Sequence, residues 1–372
     1  MSFCSYYDMN QCRSCGWIDL PYAQQMKHKS EHLHTLLKPF EPGEWLRPVP
    51  SSLTGFRNKA KMVALNTSEG LVLGLSEEVS LIGCPLYDPS IQRVLEQTQQ
   101  WLRGLGIQAY DVQKRKGELK YVLLTRSTHE GSMMLRFVLR SHGVISRLQR
   151  GMDSLIASAP ELKVITVNIQ PVHMAILEGE EEIFLTDQTR LEERFNAIPL
   201  FIRPKSFFQT NPEMAAKLYK SASQWADETE PKVVWDLFCG VGGFALHCAA
   251  AEREIVGIEI EPEAIACARD SAEQIGFENL RFEALDAASF SAETKGKPDV
   301  LIVNPPRRGL GEQLCKWLTK VSPDTIIYSS CNAVTLAKDM ERLQSYGCVK
   351  VQLFDMFPHT EHYEVLVYLK RR

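Results

Sequence analysis

From Val233 onward the chain alternates short apolar runs with amphipathic stretches, and the first run opens into glycines. Val233–Leu237, Glu254–Glu259, Leu280–Ala284, Val300–Val303 and Thr325–Ser329 have the length and residue types of buried strands. Between them, 242–251, 262–275 and 310–321 carry helical spacing. That order predicts βαβ units and a doubly wound, mainly parallel Rossmann-like sheet, with ligands bound at the carboxyl ends of the strands. The first strand runs into Phe238-Cys239-Gly240-Val241-Gly242-Gly243, where glycines let backbone approach a ligand closely. Upstream, Asn211-Pro212-Glu213 is a helix start, with Asn as N-cap and Pro at the first helical position.

The remainder reads differently. Helical spacing over 91–105 stops at Gly106, and strand signals follow at Lys120–Leu124, Met133–Leu139, Val164–Ile169 and Glu182–Leu185, interrupted by a helix over 143–157. This predicts an α+β module with antiparallel strands. A last antiparallel-type segment is Tyr363–Tyr368. The expected organisation is 1–90, a cysteine-bearing segment with a basic strand; 91–200, a central α+β module; and 201–372, the doubly wound domain. With 44% hydrophobic and 24% charged residues, this is the composition of a globular protein. No run approaches the eighteen or so apolar residues of a membrane span. The first residues lack a basic segment followed by an apolar one, so no signal peptide and a cytoplasmic location are expected.

Charge is divided along the chain. Residues 101–163 carry eleven Lys/Arg against five Asp/Glu, whereas 251–299 carry five against twelve. A basic face for phosphates beside an acidic remainder fits that polarity, as does a solvated surface with chance clustering. Arg57, Lys59 and Lys61 alternate beside Phe56, and Lys114-Arg115-Lys116 form a basic loop; both could hold RNA phosphates.

Acids surround the glycine loop: Asp236, Glu259, Glu261 and Asp286. A pyrophosphate would be repelled there and a sulfonium would not, so S-adenosylmethionine is favoured over a dinucleotide. Glu259 ends the second strand, where an acid accepts hydrogen bonds from ribose hydroxyls. Asn304-Pro305-Pro306-Arg307 follows the fourth strand, its prolines fixing the direction of Asn304. An aromatic after the prolines would suggest methylation of an exocyclic amine. Arg307 stands there instead, and leaves that chemistry as the alternative.

A methyltransferase needs a thiol when its target carbon is a poor nucleophile. Addition of a thiolate to C6 of uracil makes an enolate whose C5 can attack a methyl sulfonium, and a base must then remove the C5 proton. Cys331, at the end of the strand Thr325–Ser329, supplies the thiol. Glu364, a lone carboxylate opening an apolar strand, is the candidate base, with a raised pKa expected from that setting. The other readings are a buried inert thiol and an exposed strand-end acid.

Cys4, Cys12, Cys15 and Cys84 form a second set. C-x-x-C with distant partners fits zinc or iron–sulfur, and Cys84-Pro85 resembles the Cys-Pro ending of ferredoxin-type runs, which favours iron–sulfur. Unligated core thiols are the third reading. Cys239, Cys248, Cys267, Cys315 and Cys348 lie in helix or loop patterns and are expected to pack.

Taken in order, Phe208-Gln209-Thr210-Asn211, Asp236-Leu237-Phe238-Cys239-Gly240-Val241-Gly242, Asn304-Pro305-Pro306-Arg307, Ser330-Cys331-Asn332 and His362-Tyr363-Glu364 resemble the RNA (uracil-5-)methyltransferases over essentially the whole chain. Within that family the chain is similar to the branch that modifies U747 of bacterial 23S ribosomal RNA. The resemblance implies a class I S-adenosylmethionine methyltransferase domain, Cys331 as nucleophile and Glu364 as base. It implies S-adenosylmethionine contacts from Gln209, Phe238, Glu259 and Asn304. It also implies a [4Fe-4S] cluster on the four N-terminal cysteines, structural or RNA-binding in role. The expected partner is protein-poor or naked 23S ribosomal RNA, bound by a monomer without a membrane. Two departures stand out: much of the family has Asp at the position of Asn304 and Pro at that of Ala333. Many relatives begin with a small β-barrel RNA-binding domain. Cys4 leaves no room for one here, so RNA grip is expected from the basic central module.

Overall fold

The computed structural model describes residues 2–68, 70–75, 79–173, 176–293 and 296–372, the side chains of 292 and 293 excepted. The chain forms two compact units, each drawn from separated stretches: Met1–Arg13 with Thr54–Glu193, and Ser14–Leu53 with Arg194–Arg372. The first ninety residues are thus shared between both units.

The first unit is built on a six-stranded sheet in the order Gly70–Gly74, Lys59–Thr67, Leu119–Arg126, Met133–Leu139, Leu162–Ile169, Glu181–Phe184. It is mixed, not wholly antiparallel. Met133–Leu139 and Leu162–Ile169 run parallel because the helix Ile145–Ser158 carries the chain back between them. Ile145–Ser158 and the helix Pro89–Gly104 supply Leu148, Leu155, Leu95 and Leu102 to a core shared with Phe137. The two helices are tied by a 2.9 Å hydrogen bond from Trp101 Nε1 to the Gly151 carbonyl. Away from that core, Arg136 is 2% exposed and paired with Glu182 and Glu178.

The second unit carries an eight-stranded sheet. Its order is Glu44–Trp45, Tyr346–Phe354, Glu364–Arg371, Thr325–Ser330, Val300–Val303, Val233–Leu237, Glu254–Glu259, Leu280–Ala284. The last five run parallel, as the alternating pattern requires, and Glu364–Arg371 is antiparallel to both neighbours. The strand order reverses between Val233–Leu237 and Val300–Val303, which opens the ligand crevice above the glycine loop. Trp235, Leu237, Val303, Tyr328, Leu336 and Val365 belong to one core. The helix expected over 242–251 is shorter, Gly243–His247, since Arg253 Nη1 takes the Cys248 carbonyl at 2.6 Å and the chain turns. Several elements go beyond the sequence pattern, among them the helices Tyr22–Leu37, Ala287–Glu293 and Ala333–Arg342, and the strands Glu44–Trp45, Ile198–Ile202 and Tyr346–Phe354.

Candidate functional site

The glycine loop begins with strain. Phe238 has φ +63°, uncommon for a bulky residue, followed by Gly240 at +55° and Gly242 at +84°. A Cβ on Gly242 would lie 3.0–3.2 Å from Leu246, Ala268 and Phe282, so the loop is packed from below as well as twisted. Glu259 closes its other side. One carboxylate oxygen accepts from Gly240 N at 3.2 Å, and the other from the amides of Ile260 (2.8 Å) and Glu261 (3.1 Å). Asn304 leaves the neighbouring strand end with its amide 3.4 Å from the Leu237 carbonyl. Phe238, Glu259 and Asn304 therefore meet at the ends of adjacent strands. Gln209 lies buried in the segment leading to the helix Pro212–Asp227, whose N-cap is Asn211 as the sequence requires.

The four acids near the loop do not act alike. Asp286 caps the next helix through the amides of Ala288 (2.9 Å) and Ser289 (3.0 Å), and Glu261 caps Pro262–Ile275. Asp236 is fully buried, accepts from Ala245 N at 3.0 Å, and is pushed up to about 8 by burial and by nearby Glu259. Burial thus favours its protonated form. Asp286 and Glu261 are taken up as helix caps and Asp236 is buried, which leaves Glu259 as the acid that closes the loop.

Cys331 and Glu364 lie where two antiparallel strands stop pairing. The last paired residues are Ser330 and Val365, each adjacent in sequence to one of the two, and Glu364 is near enough to act electrostatically on the thiol. Cys331 is half-buried and lines a cavity of about 420 Å³. Burial raises the thiol's pKa, Glu364 adds to that rise, and Arg307 opposes it. Glu364 is 3% exposed and is pushed up to about 7 by burial; a 2.5 Å hydrogen bond from Ser329 Oγ pulls it down. Arg307 is held at this cavity by Asn332 Nδ2 (3.0 Å) and Thr335 Oγ1 (3.1 Å), both donating to its carbonyl. The arrangement places a thiol and a cation on one cleft, with the buried Glu364 carboxylate behind the thiol and its pKa raised by burial. Such a set can do nucleophilic addition with separate proton removal.

Sequence reasoning missed Ser329 and the residues that face Cys331 across the cavity: Trp17, His28 and His32. Ser329 sits two residues before Cys331, but only the register shows that it meets Glu364. The other three belong to the N-terminal stretch, whose strongest sequence signal is its cysteines.

Those cysteines divide between the units. Within the first, Cys84 is buried enough to raise its pKa, and Cys4 and Cys12 lie close enough to raise it further. Cys15 belongs to the second unit. Among the described residues, no group of three or more His, Cys, Asp or Glu side chains is assembled as a metal site. Cys239, Cys248, Cys267, Cys315 and Cys348 are all buried, as packing residues should be. In the basic stretches, Lys114, Arg115 and Lys116 are exposed; Lys59 is half-buried and its pKa is lowered by desolvation. No helix among the described residues is long and apolar enough to cross a membrane.

A solved structure, the Pyrococcus abyssi tRNA (uracil-54, C5)-methyltransferase in complex with S-adenosyl-L-homocysteine, is 26% identical with a TM-score of 0.80, covering 96% of this chain and 84% of that one. The 23S rRNA (uracil(747)-C(5))-methyltransferase RlmC of Shewanella loihica is 55% identical over 374 residues, 99% of each chain. Its counterpart from Shewanella putrefaciens is 54% identical over 375 residues, 98% of this chain and 96% of the relative. The family model for tRNA (uracil-5-)-methyltransferases matches residues 185–372, which hold the glycine loop, Cys331 and Glu364. With that match and relatives aligned end to end, the chain belongs to the uracil-5 RNA methyltransferase family.

Proposed function

We propose that this protein is an S-adenosylmethionine-dependent methyltransferase acting on C5 of uridine 747 in 23S ribosomal RNA, the activity named for its relatives. The observation that carries the chemistry is the nearness of half-buried Cys331 to Glu364, a buried carboxylate raised to about 7 that acts electrostatically on the thiol. S-adenosylmethionine supplies an electrophilic methyl group. The twisted glycine loop and the anchored Glu259 carboxylate fit its adenosine portion, and Gln209, Phe238, Glu259 and Asn304 would contact it.

Cys331, as thiolate, adds to C6 of the uracil and pushes electrons onto the ring as an enolate. Arg307 favours the thiolate electrostatically, against burial and Glu364. After C5 is methylated, Glu364 takes the C5 proton, the ring electrons expel the Cys331 sulfur from C6, and the double bond returns. A base near 7 suits this step: it is partly ionised at neutral pH and still basic enough to accept a carbon-bound proton. A buried uridine must leave its stack to reach the cleft.

Cys4, Cys12, Cys15 and Cys84 would hold a [4Fe-4S] cluster. Cys4 and Cys12 lie near enough to Cys84 to raise its pKa, which supports thiolate ligation, and the C-x-x-C spacing keeps Cys15 close to Cys12 along the chain. Methyl transfer needs no electron, so the cluster takes no part in the reaction. The protein is read as a cytoplasmic monomer acting on naked or protein-poor RNA, gripped partly by the exposed Lys114–Lys116 loop.

The test is Glu364→Gln incubated with S-adenosylmethionine and an RNA containing the 747 region. The expected result is a protein–RNA adduct, stable to denaturant and absent in Cys331→Ala. RNA binding and cofactor binding without adduct would overturn the assignment.

A further inference from the structure

The cavity beside Cys331 has a second wall that the methyl-transfer chemistry does not use. It is made by Trp17 and by His28 and His32, one turn apart on the helix Tyr22–Leu37. This wall is firmly placed. Trp17 N donates to the His359 carbonyl at 2.9 Å, and the Trp17 carbonyl accepts from Gln25 Nε2 at 3.0 Å. His359 itself holds φ +65°, a strained backbone at the residue that fixes Trp17. The indole ring has Lys29 Nζ 5.8 Å from its centroid and His28 edge-on at 5.8 Å. Beneath, Lys29 is buried and bonded to Asp355 at 2.5 Å and to the Phe357 carbonyl at 3.1 Å. His32 is set by a 2.8 Å hydrogen bond with Tyr363 OH, one residue before Glu364.

A half-buried tryptophan clamped through both backbone polar groups, beside two exposed imidazoles, is a stacking platform. Its surroundings favour a nucleotide. Arg307 and His362 are exposed on the same cavity, Lys29 is neutralised by Asp355, and the one carboxylate in the lining is Glu361. At about 420 Å³ the space lies in the range of sites that enclose a small-molecule ligand.

We infer that Trp17, His28 and His32 form a second nucleobase subsite, which takes the unpaired base of a nucleotide flanking the uridine that Cys331 attacks. The inference rests on the reading of the protein as an RNA uracil methyltransferase. It assigns the helix Tyr22–Leu37 a part in choosing the RNA, through a base that must be free to leave its stack.

The test is a double-perturbation cycle on the full-length, metal-loaded protein saturated with S-adenosylhomocysteine, using a hairpin from the 747 region. Trp17→Ala and the exposed-site variant His28→Ala should weaken RNA binding by about tenfold, with Trp17→Phe restoring much of it. In the unaltered protein, an abasic nucleotide at one flanking position should cause a similar loss, and the two losses should not add. Losses that add at every flanking position, or unchanged affinity in both alanine variants, overturn the subsite. Failure of the unaltered enzyme to methylate the intact hairpin would instead sink the underlying activity, since the binding cycle is read separately.

Discussion

Ser329 donates a 2.5 Å hydrogen bond to Glu364, its diagonal neighbour on the same face of two antiparallel strands. That bond is the one interaction found to oppose burial in setting the Glu364 pKa. Removing it with Ser329→Ala should raise the pKa further. A hydrogen bond to a charged group is worth a few kcal/mol at most, so the shift should be on the order of one unit. The acid limb of the single-turnover rate then moves to higher pH, while adduct formation through Cys331 persists. An unmoved limb would show that Ser329 does not tune the base.

The same carboxylate couples folding to pH. Its folded pKa of about 7 lies above the ordinary 4.5, so the folded protein holds a proton that the unfolded chain has released. Stability from this group is complete below pH ~4.5 and is lost as pH rises through about 7. The loss amounts to roughly 3 kcal/mol. Glu364→Gln cannot ionise and should flatten that part of the stability curve, becoming more stable than the parent above neutrality. Urea melts at acidic and slightly alkaline pH, compared between the two proteins, read this directly. Equal slopes would contradict the buried, elevated carboxylate.

Much of the second unit was legible because its central strands are buried on both faces. Val233–Leu237 and Val300–Val303 begin and end where their apolar runs do, whereas Leu280–Ala284 is an edge strand with only Phe282 buried. The helix Tyr22–Leu37 was not legible. Its buried face is Gln25, Lys29, Leu33 and Leu37, and two polar residues in four erase the apolar stripe. Their partners, His359 and Asp355, lie more than 300 positions away, so nothing local announces them. Ala333–Arg342 was hidden for another reason: Asn332 caps it directly after the strand, with no glycine or proline to mark a boundary. At the site, Cys331 and Glu364 could be named from residue type and motif, whereas Ser329 and Trp17 depend on register and long-range packing. A sequence also does not show that Asp236 is buried and its pKa raised by that burial.

Lys29 and Asp355 make a fully buried ion pair, and Tyr22 OH donates to the same carboxylate at 2.8 Å. Lys29→Met leaves Asp355 with its charge buried and poorly compensated. Breaking such a pair typically costs about 3–5 kcal/mol, far more than an exposed bridge. Lys29→Met should therefore lower the melting temperature sharply. The double variant Lys29→Met/Asp355→Leu should regain stability over Lys29→Met alone, because no charge is left to bury. Additive losses in the double variant would mean that the two residues contribute independently.

The N-terminal thiols give the last prediction. Cys84 is held protonated by burial and by the nearness of Cys4 and Cys12, a cost that vanishes when thiolates share a bound metal cluster. Protein purified without oxygen should then be brown and carry about four irons per chain, as a cysteine-ligated [4Fe-4S] centre requires. Cys84→Ser and Cys12→Ser should lose most of the iron, while Cys331→Ser keeps it, since that thiol belongs to the RNA site. Stoichiometric zinc in place of iron would replace the cluster with a tetrahedral thiolate site. Iron and zinc both absent from freshly isolated protein would leave the four cysteines as packing residues, and the melting temperature of Cys84→Ser would then report only a buried thiol replaced by a hydroxyl.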